Sequence, residues 1–422
     1  MSLNIVTTHL RYPLKGFLQS KLVKQCTVCC CRFLQSNVNQ AYIDDKPLKG
    51  KVVVPSLHVF KTDESNPNNH LMRHEGLLYT IDNEDFLRLS YDKTYRYFRK
   101  QFYTFQEACV MVRKPALEVI HLLKNLDLTL PIPKIVLYGK LGSGKSMTLL
   151  HVLHSASVNN WFIIRTPWPS QWTQWYTEIQ NSSFKPGRID MPVEAKVFLE
   201  QLLLQNGPIL EKHQTQFRYQ WTKRESSEIG TSLKELVEFG MARVKFADDI
   251  VGAVFKEIKQ LAKDQKVKVL LAVDGINGFY RTTRMKTTKK AFKDTHQAKG
   301  KGEYLSVDDL TLVQNLKMFL EPDMINAVCV STVDSNVLLE EQRTNVDTPN
   351  FLLGDEGFRA LDPFIPIHVP EYSDKEALSM LDYYIERNWI IKPKGRTEEG
   401  KKQLMFLSNK NPYELMMVCE TV

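Results

Sequence analysis

No stretch of this 422-residue chain stays apolar for long; its longest apolar runs, such as VLLAV at 269–273, are five residues. A membrane-spanning helix needs roughly 20, so no transmembrane segment and no membrane insertion are expected. Acidic residues are missing from one end. The first is Asp44, while Arg11, Lys15, Lys21, Lys24 and Arg32 give residues 1–43 a charge of +5. Cysteine is scarce: seven in all, with Cys26, Cys29, Cys30 and Cys31 together and Cys109, Cys329 and Cys419 scattered. The C-x-x-C spacing of Cys26 and Cys29 invites a zinc reading. A closed tetrahedral site takes four ligands, however, and no second pair follows at ligand spacing. The apolar core of a secretory signal is also absent, and the cysteine usage fits a reducing compartment.

The net charge of +8 is therefore local. Residues 281–302, RTTRMKTTKKAFKDTHQAKGKG, hold eight Lys or Arg against Asp294, a charge of +7 that with the +5 of residues 1–43 leaves −4 for the rest. A basic segment of this density suits contact with RNA phosphate; a solvated loop is the alternative. The acid-free N-terminus, with Leu14, Phe17, Leu18 and Leu22 on one helical face, has the character of a mitochondrial transit peptide. A disordered basic arm is the alternative there.

What the chain does have is GKLGSGKS at 139–146, which fits G-x-x-x-x-G-K-[ST]. A triphosphate needs several donors on a tight curve, and Gly139, Gly142 and Gly144 let the backbone turn its N–H groups towards phosphate. Lys140, Leu141, Ser143 and Met147 complete the predicted nucleotide-binding run. Lys145 would reach the β- and γ-phosphates, and the Ser146 hydroxyl would ligate Mg²⁺. KIVLYG at 134–139 reads as a buried strand, and Met147, Leu150, Val152 and Leu153 follow at helical spacing, which sets phosphates on a helix N-terminus. VKVLLAVDGIN at 267–277 reads as a neighbouring strand ending in Asp274, the acid expected to hold Mg²⁺ through its water shell. INAVCVSTVDS at 325–335 is another strand, whose Ser331, Thr332 and Asp334 are candidates to sense the γ-phosphate or place a water.

With WFIIRTP at 161–167 and IPIHVP at 365–370 the count reaches about five strands with helices between. The predicted class is α/β, a P-loop NTPase (AAA-like) three-layer core with a C-terminal helical domain. Trp168, Trp172 and Trp175 fall at near-helical spacing, which predicts core or a partner face over a nucleotide stack. Residues 91–112 interleave aromatics with Arg96, Arg99 and Lys100; a packed amphipathic segment is the first reading and RNA stacking the second. Pro115 suits the first turn of a helix through 116–126. Ser373 with Glu376 forms a capping box, and Asn411 precedes Pro412 as a second cap. The expected division is a transit peptide at 1–43, an N-terminal extension at 44–115, a nucleotide-binding core with a helical insertion at 116–340, and the last strand with the helical domain at 341–422.

Longer stretches carry a resemblance. EACVMVRKPALEVIHLLKN (107–125), WTKRESSEIG (221–230), LLAVDGIN (270–277), LDPFIPI (361–367), YYIERNW (383–389) and TEEGKKQLMFLSN (397–409) are similar to the death-associated protein three family. The likeness covers roughly residues 75–422. It implies an AAA-like P-loop core, a purine nucleotide (GTP or GDP, ATP not excluded) with Mg²⁺, and a place in the mitochondrial small ribosomal subunit among its proteins and ribosomal RNA, in the matrix. No stable homo-oligomer is expected. The family name also carries a link to cell death, which no residue here shows. Carried over residue by residue, the phosphate loop is Gly139 to Ser146 and the acid at the metal is Asp274.

Two signatures are missing. Guanine-specific GTPases read the base with N-K-x-D, whereas the Asn-Lys here is NKNP at 409–412, without the Asp. AAA-type ATPases place a glutamate directly after the strand-end aspartate; Gly275 and Ile276 stand there instead. Hydrolysis needs a group to orient or deprotonate water, so the expectation is a nucleotide that is kept and seldom turned over. Glu178 or a partner remains as another source of a base. A cycling AAA-type or signalling NTPase is the competing reading, and an RNA-binding adaptor with a vestigial loop is the third.

Overall fold

The computed structural model describes residues 59–421 apart from 91–95, 167, 281–282, 284–304 and 339–342. The expected transit peptide with its cysteine cluster, and all of the basic 281–302 segment but Thr283, lie outside the described residues.

Five parallel strands make the central sheet. In chain order they follow a first ribbon of β1 (Leu78–Ile81) and β2 (Ala108–Met111), and are β3 (Lys134–Tyr138), β4 (Phe162–Thr166), β5 (Val269–Asp274), β6 (Ala327–Thr332) and β7 (Ile365–His368). Their spatial order is β7-β3-β6-β5-β4. The sequence predicts the Asp274 strand as a neighbour of the phosphate-loop strand; the sheet corrects this, because local patterns carry no strand order. β6 lies between them, pairing Thr332 with both Leu137 and Asp274.

The strands read as near-continuous apolar runs because both faces are covered. Val136, Ile164, Leu271 and Cys329 point into one apolar cluster; Ile135, Leu137, Ile163, Leu270 and Val330 point into another. The first is closed by α5 (Pro192–Lys212), α7 (Ala247–Lys263) and α8 (Thr311–Lys317), and the second by α3 (Lys114–Asn125) and α4 (Lys145–Val158). Other helices with side chains in these layers include α1 (Asn83–Leu89), α2 (Arg96–Phe105), α6 (Leu233–Ala242) and α9 (Pro349–Leu361). Along α5 the helical geometry breaks at Asn206, two residues before Pro208. The Asn206 amide then bonds both the N–H and C=O of Ile163, at 2.7 and 2.8 Å, and so caps part of the open edge of β4.

The chain ends in α10 (Asp374–Glu386), α11 (Glu398–Leu407) and α12 (Pro412–Glu420). Both expected caps are present: Ser373 and Glu376 form the box, and Asn411 accepts from Tyr413 and Glu414. The β1–β2 ribbon joins this helical layer to the sheet. Tyr79, Ile81 and Val110 face the sheet cluster, while Leu78, Cys109 and Met111 pack on Leu381, Tyr384 and Leu415. From His58 onward the chain is accordingly one compact unit. The aromatic–basic segment packs inward where it is described, with Phe102 buried and Phe98 half-buried.

Candidate nucleotide-binding site

β3, β5 and β6 all end at the same edge of the sheet, their carboxyl edge, where parallel sheets present ligand sites. Leaving β3, Gly139 passes so close to β7 that a Cβ would lie 2.3 Å from the Val369 carbonyl oxygen. Gly142 and Gly144 take φ of +80° and +98°, and Gly144 opens α4 without a side-chain cap. The first-turn N–H groups of a helix have no intrahelical partner, and here they face the loop.

Lys145 is nearly buried and folds back on the loop, donating at 2.8 Å to the carbonyls of both Gly139 and Lys140. Burial lowers its pKa, and the charges of Asp334 and Asp274 oppose that shift. Asp274 accepts at Oδ1 from Thr332 Oγ1 at 2.7 Å; its Oδ2 is buried without a hydrogen-bond partner. Burial pushes the carboxyl up to about 6, against the Thr332 hydroxyl and the neighbouring Ser146, which favour the charged form. Ser146 and Asp274, the two predicted metal ligands, are thus brought together. A buried carboxylate beside a serine hydroxyl suits a divalent cation whose other ligands are water and phosphate oxygens.

A cavity of about 780 Å³ opens over these residues. Of the predicted run, Leu141, Gly142, Gly144, Lys145, Ser146 and Met147 line it; Gly139, Lys140 and Ser143 do not. Lys140 turns outward to an ion pair with Glu371 at 2.5 Å, and Ser143 is buried beneath the loop. Of the γ-phosphate candidates, Thr332 and Asp334 line the cavity, while Ser331 donates instead to the Ile135 carbonyl. Glu178 is exposed and does not line it. Burial raises the Asp334 carboxyl, and the nearby Lys145 charge lowers it.

The tryptophans divide. Trp172 is core, as its spacing predicts, but Trp168 and Trp175 line the cavity: the short helix spans only Ser170–Gln174, so Trp168 precedes it and Trp175 follows it. Part of the cavity wall was not legible in the sequence at all. It is built by Tyr97, Phe98 and Gln101 of α2 and by Tyr372, Tyr384 and Tyr413 from the C-terminal layer. Gln101 donates to the Tyr384 hydroxyl at 2.9 Å there. These residues are hundreds of positions apart, and no local pattern links them.

Residues 110–418 match the family model described as mitochondrial ribosomal death-associated protein 3. The chain is 37% identical over 361 residues to the small ribosomal subunit protein mS29 of Bos taurus, covering 86% of this chain and 88% of that one. It is 36% identical over 364 residues to the protein of the same name from Mus musculus, covering 86% and 90%. Among solved structures, the ORC2 protein of Aeropyrum pernix aligns over 72% of this chain and 66% of its own at 12% identity, with a TM-score of 0.30, too distant to carry an argument. The extent and level of the first three matches decide the matter: the chain belongs to the mitochondrial ribosomal death-associated protein 3 family.

Proposed function

We propose that this protein is a structural component of the mitochondrial small ribosomal subunit that holds a purine nucleotide with Mg²⁺ in the cavity over the phosphate loop. Family membership supports the ribosomal part, since the mammalian relatives carry the subunit in their names. A mitochondrial location follows from the same reading. One observation carries the nucleotide part: Lys145, Ser146 and Asp274 converge at the carboxyl edge of the sheet, on a cavity large enough for a nucleotide. The AAA-like three-layer reading of the fold is supported by the apolar clusters on both faces of the parallel sheet.

Phosphate would sit on the loop N–H groups, with Lys145 leaving the Gly139 and Lys140 carbonyls to meet it. Mg²⁺, held by Ser146 and Asp274, would neutralise charge on the β- and γ-oxygens. Aromatic side chains in the cavity wall offer faces on which a base can stack. GTP or GDP is the family's expected ligand. ATP fits the same phosphate chemistry, and the N-K-x-D that would select guanine is missing from the sequence.

Turnover is proposed to be slow. The residue after Asp274 is Gly275, whose N–H is engaged by Thr332 Oγ1 at 2.9 Å. Among the described residues, Asp274 and Asp334 are the carboxylates lining the cavity, and Asp274 is committed to the metal. The deciding experiment is sedimentation of the mitochondrial protein, followed by extraction of nucleotide from the purified fraction. Co-sedimentation with small subunits and about one nucleotide per protein are expected. A free protein, or subunits without nucleotide, would reject the corresponding half of the proposal. Multiple turnovers per second, on the isolated protein or on subunits, would instead favour the cycling NTPase.

A further inference from the structure

Three consecutive carbonyls of the phosphate loop are held by groups outside it. The Leu141 oxygen accepts from Asn411 Nδ2 at 2.8 Å, the Gly142 oxygen from the Tyr413 backbone N–H at 3.2 Å, and the Ser143 oxygen from Arg113 Nη1 at 2.7 Å. In a trans peptide the C=O and N–H point to opposite sides. Holding the Leu141 and Ser143 carbonyls therefore fixes which way the N–H groups of Gly142 and Gly144 face, and both of these residues line the cavity.

Two of the three holds come from the start of α12 and the third is tied to α10. Asn411 does two jobs: its Oδ1 caps α12 by accepting from Tyr413 and Glu414 at 3.1 and 3.3 Å, while its Nδ2 reaches the loop. Arg113 also bonds Glu376 of α10 at 2.9 Å and the Pro370 and Glu371 carbonyls at 2.9 and 3.2 Å. The approach is close enough to dictate a loop residue. A Cβ on Gly142 would lie 2.5 Å from Asn411 Oδ1 and 2.8 Å from Tyr413 Cβ. Glycine at 142 is therefore required by the contact with α12 as well as by its own backbone angle.

We propose that Asn411, the Tyr413 amide and Arg113 form a clamp that sets the phosphate loop in its binding conformation, so that docking of the C-terminal helices and nucleotide binding are linked. The inference rests on the nucleotide reading given above. These are positioning groups, and by linkage the coupling runs both ways. Nucleotide on the loop holds α12 in place, and α12 in place strengthens the nucleotide.

Asn411→Ser separates the two jobs of Asn411. Serine is a good N-cap, but its side chain is too short to reach the Leu141 carbonyl. Thr397→Ala is the control, since it removes a cap from α11 whose bonds run to Gly400 and Lys394. Fluorescent GTP and ATP analogues with Mg²⁺ are the probes, on the full chain. N411S is expected to bind roughly five- to tenfold more weakly, the loss of one hydrogen bond, with T397A like wild type. Hydrogen exchange at the Tyr413 amide is expected to slow when nucleotide is added to wild type. This measurement needs no variant, and so holds even where N411S does not fold. Unchanged affinity in N411S, equal weakening in both variants, or Tyr413 exchange indifferent to nucleotide overturns the clamp alone. A wild-type protein that binds neither analogue overturns the nucleotide reading and the clamp with it.

Discussion

Thr332 Oγ1 donates to Asp274 Oδ1 at 2.7 Å and itself accepts from the Gly275 N–H at 2.9 Å. One side chain from the strand between the two motif strands therefore satisfies two buried polar groups at the candidate metal site. Thr332→Val keeps the shape and removes both bonds. Leaving buried polar groups unsatisfied costs on the order of 2–3 kcal/mol, and the Asp274 carboxyl moves further above about 6. Urea unfolding at neutral pH should show the loss for T332V and little for Thr332→Ser. Equal stability of T332V and wild type would show that the hydroxyl holds nothing.

Lys145→Ala removes the ammonium that is proposed to meet phosphate, along with its bonds to the Gly139 and Lys140 carbonyls. A charge-assisted hydrogen bond contributes about 1.5–3 kcal/mol, so nucleotide affinity should fall by about ten- to a hundredfold. Retained nucleotide and incorporation into small subunits should both drop, with little change in any turnover, which is proposed to be slow. Mass analysis of nucleotide extracted from assembled subunits measures the first. Full retention in K145A argues that the loop is not where the nucleotide sits.

The Arg113–Glu376 pair is almost fully buried, with side chains 5% and 6% exposed. Removing one partner of a buried pair leaves the other charge stranded, at about 3–5 kcal/mol. Arg113→Ala should therefore destabilise the protein severely. Glu376→Gln should do less harm, because glutamine can keep the capping box with Ser373 that Glu376 now makes at 2.8 and 3.2 Å. Thermal midpoints rank the two, and the reverse order would mean that a stranded Arg113 costs more than a stranded Glu376.

Three buried histidines tie the segment before β1 and the ribbon to α4. His70 Nδ1 lies 2.9 Å from His151 Nε2, and the Tyr79 hydroxyl 3.2 Å from His154 Nδ1. Burial lowers all three pKa values, His154 to about 4, even with Asp85 nearby to raise it; His74, Lys124 and Arg88 oppose protonation and Glu64 favours it. Neutral imidazoles in the fold mean that the unfolded chain takes up protons below about 6.5 which the folded chain does not. Stability should then fall as pH drops from about 6.5 towards about 4, by at most about 1.4 kcal/mol per pH unit for each imidazole. His154→Gln should flatten that slope in unfolding curves taken between neutral pH and pH 5. An unchanged slope would mean that other groups carry it.

How far the sequence alone reaches follows from how local each determinant is. The strand from Lys134, the glycine loop, the helix from Lys145 and the strand ending in Asp274 are encoded in runs of neighbouring residues, because hydrophobic period and glycine spacing act within a few positions. The caps at Ser373 and Asn411 were legible for the same reason. Local patterns carry no strand order. Only the assembled sheet inserted β6 between the two motif strands and so brought Thr332 onto Asp274. Nor do they say which side chains meet across hundreds of residues. Trp168 and Trp175 went to the cavity and Trp172 to the core because the five-residue helix holds Trp172 alone of the three. Asn411 reads as an ordinary cap from its neighbours, and only the packing of α12 against the sheet layer gave its amide a second partner at Leu141. The chemistry of the site was thus written in short segments, while its geometry was decided by tertiary contacts, whose closure depends on burying the whole apolar surface at once.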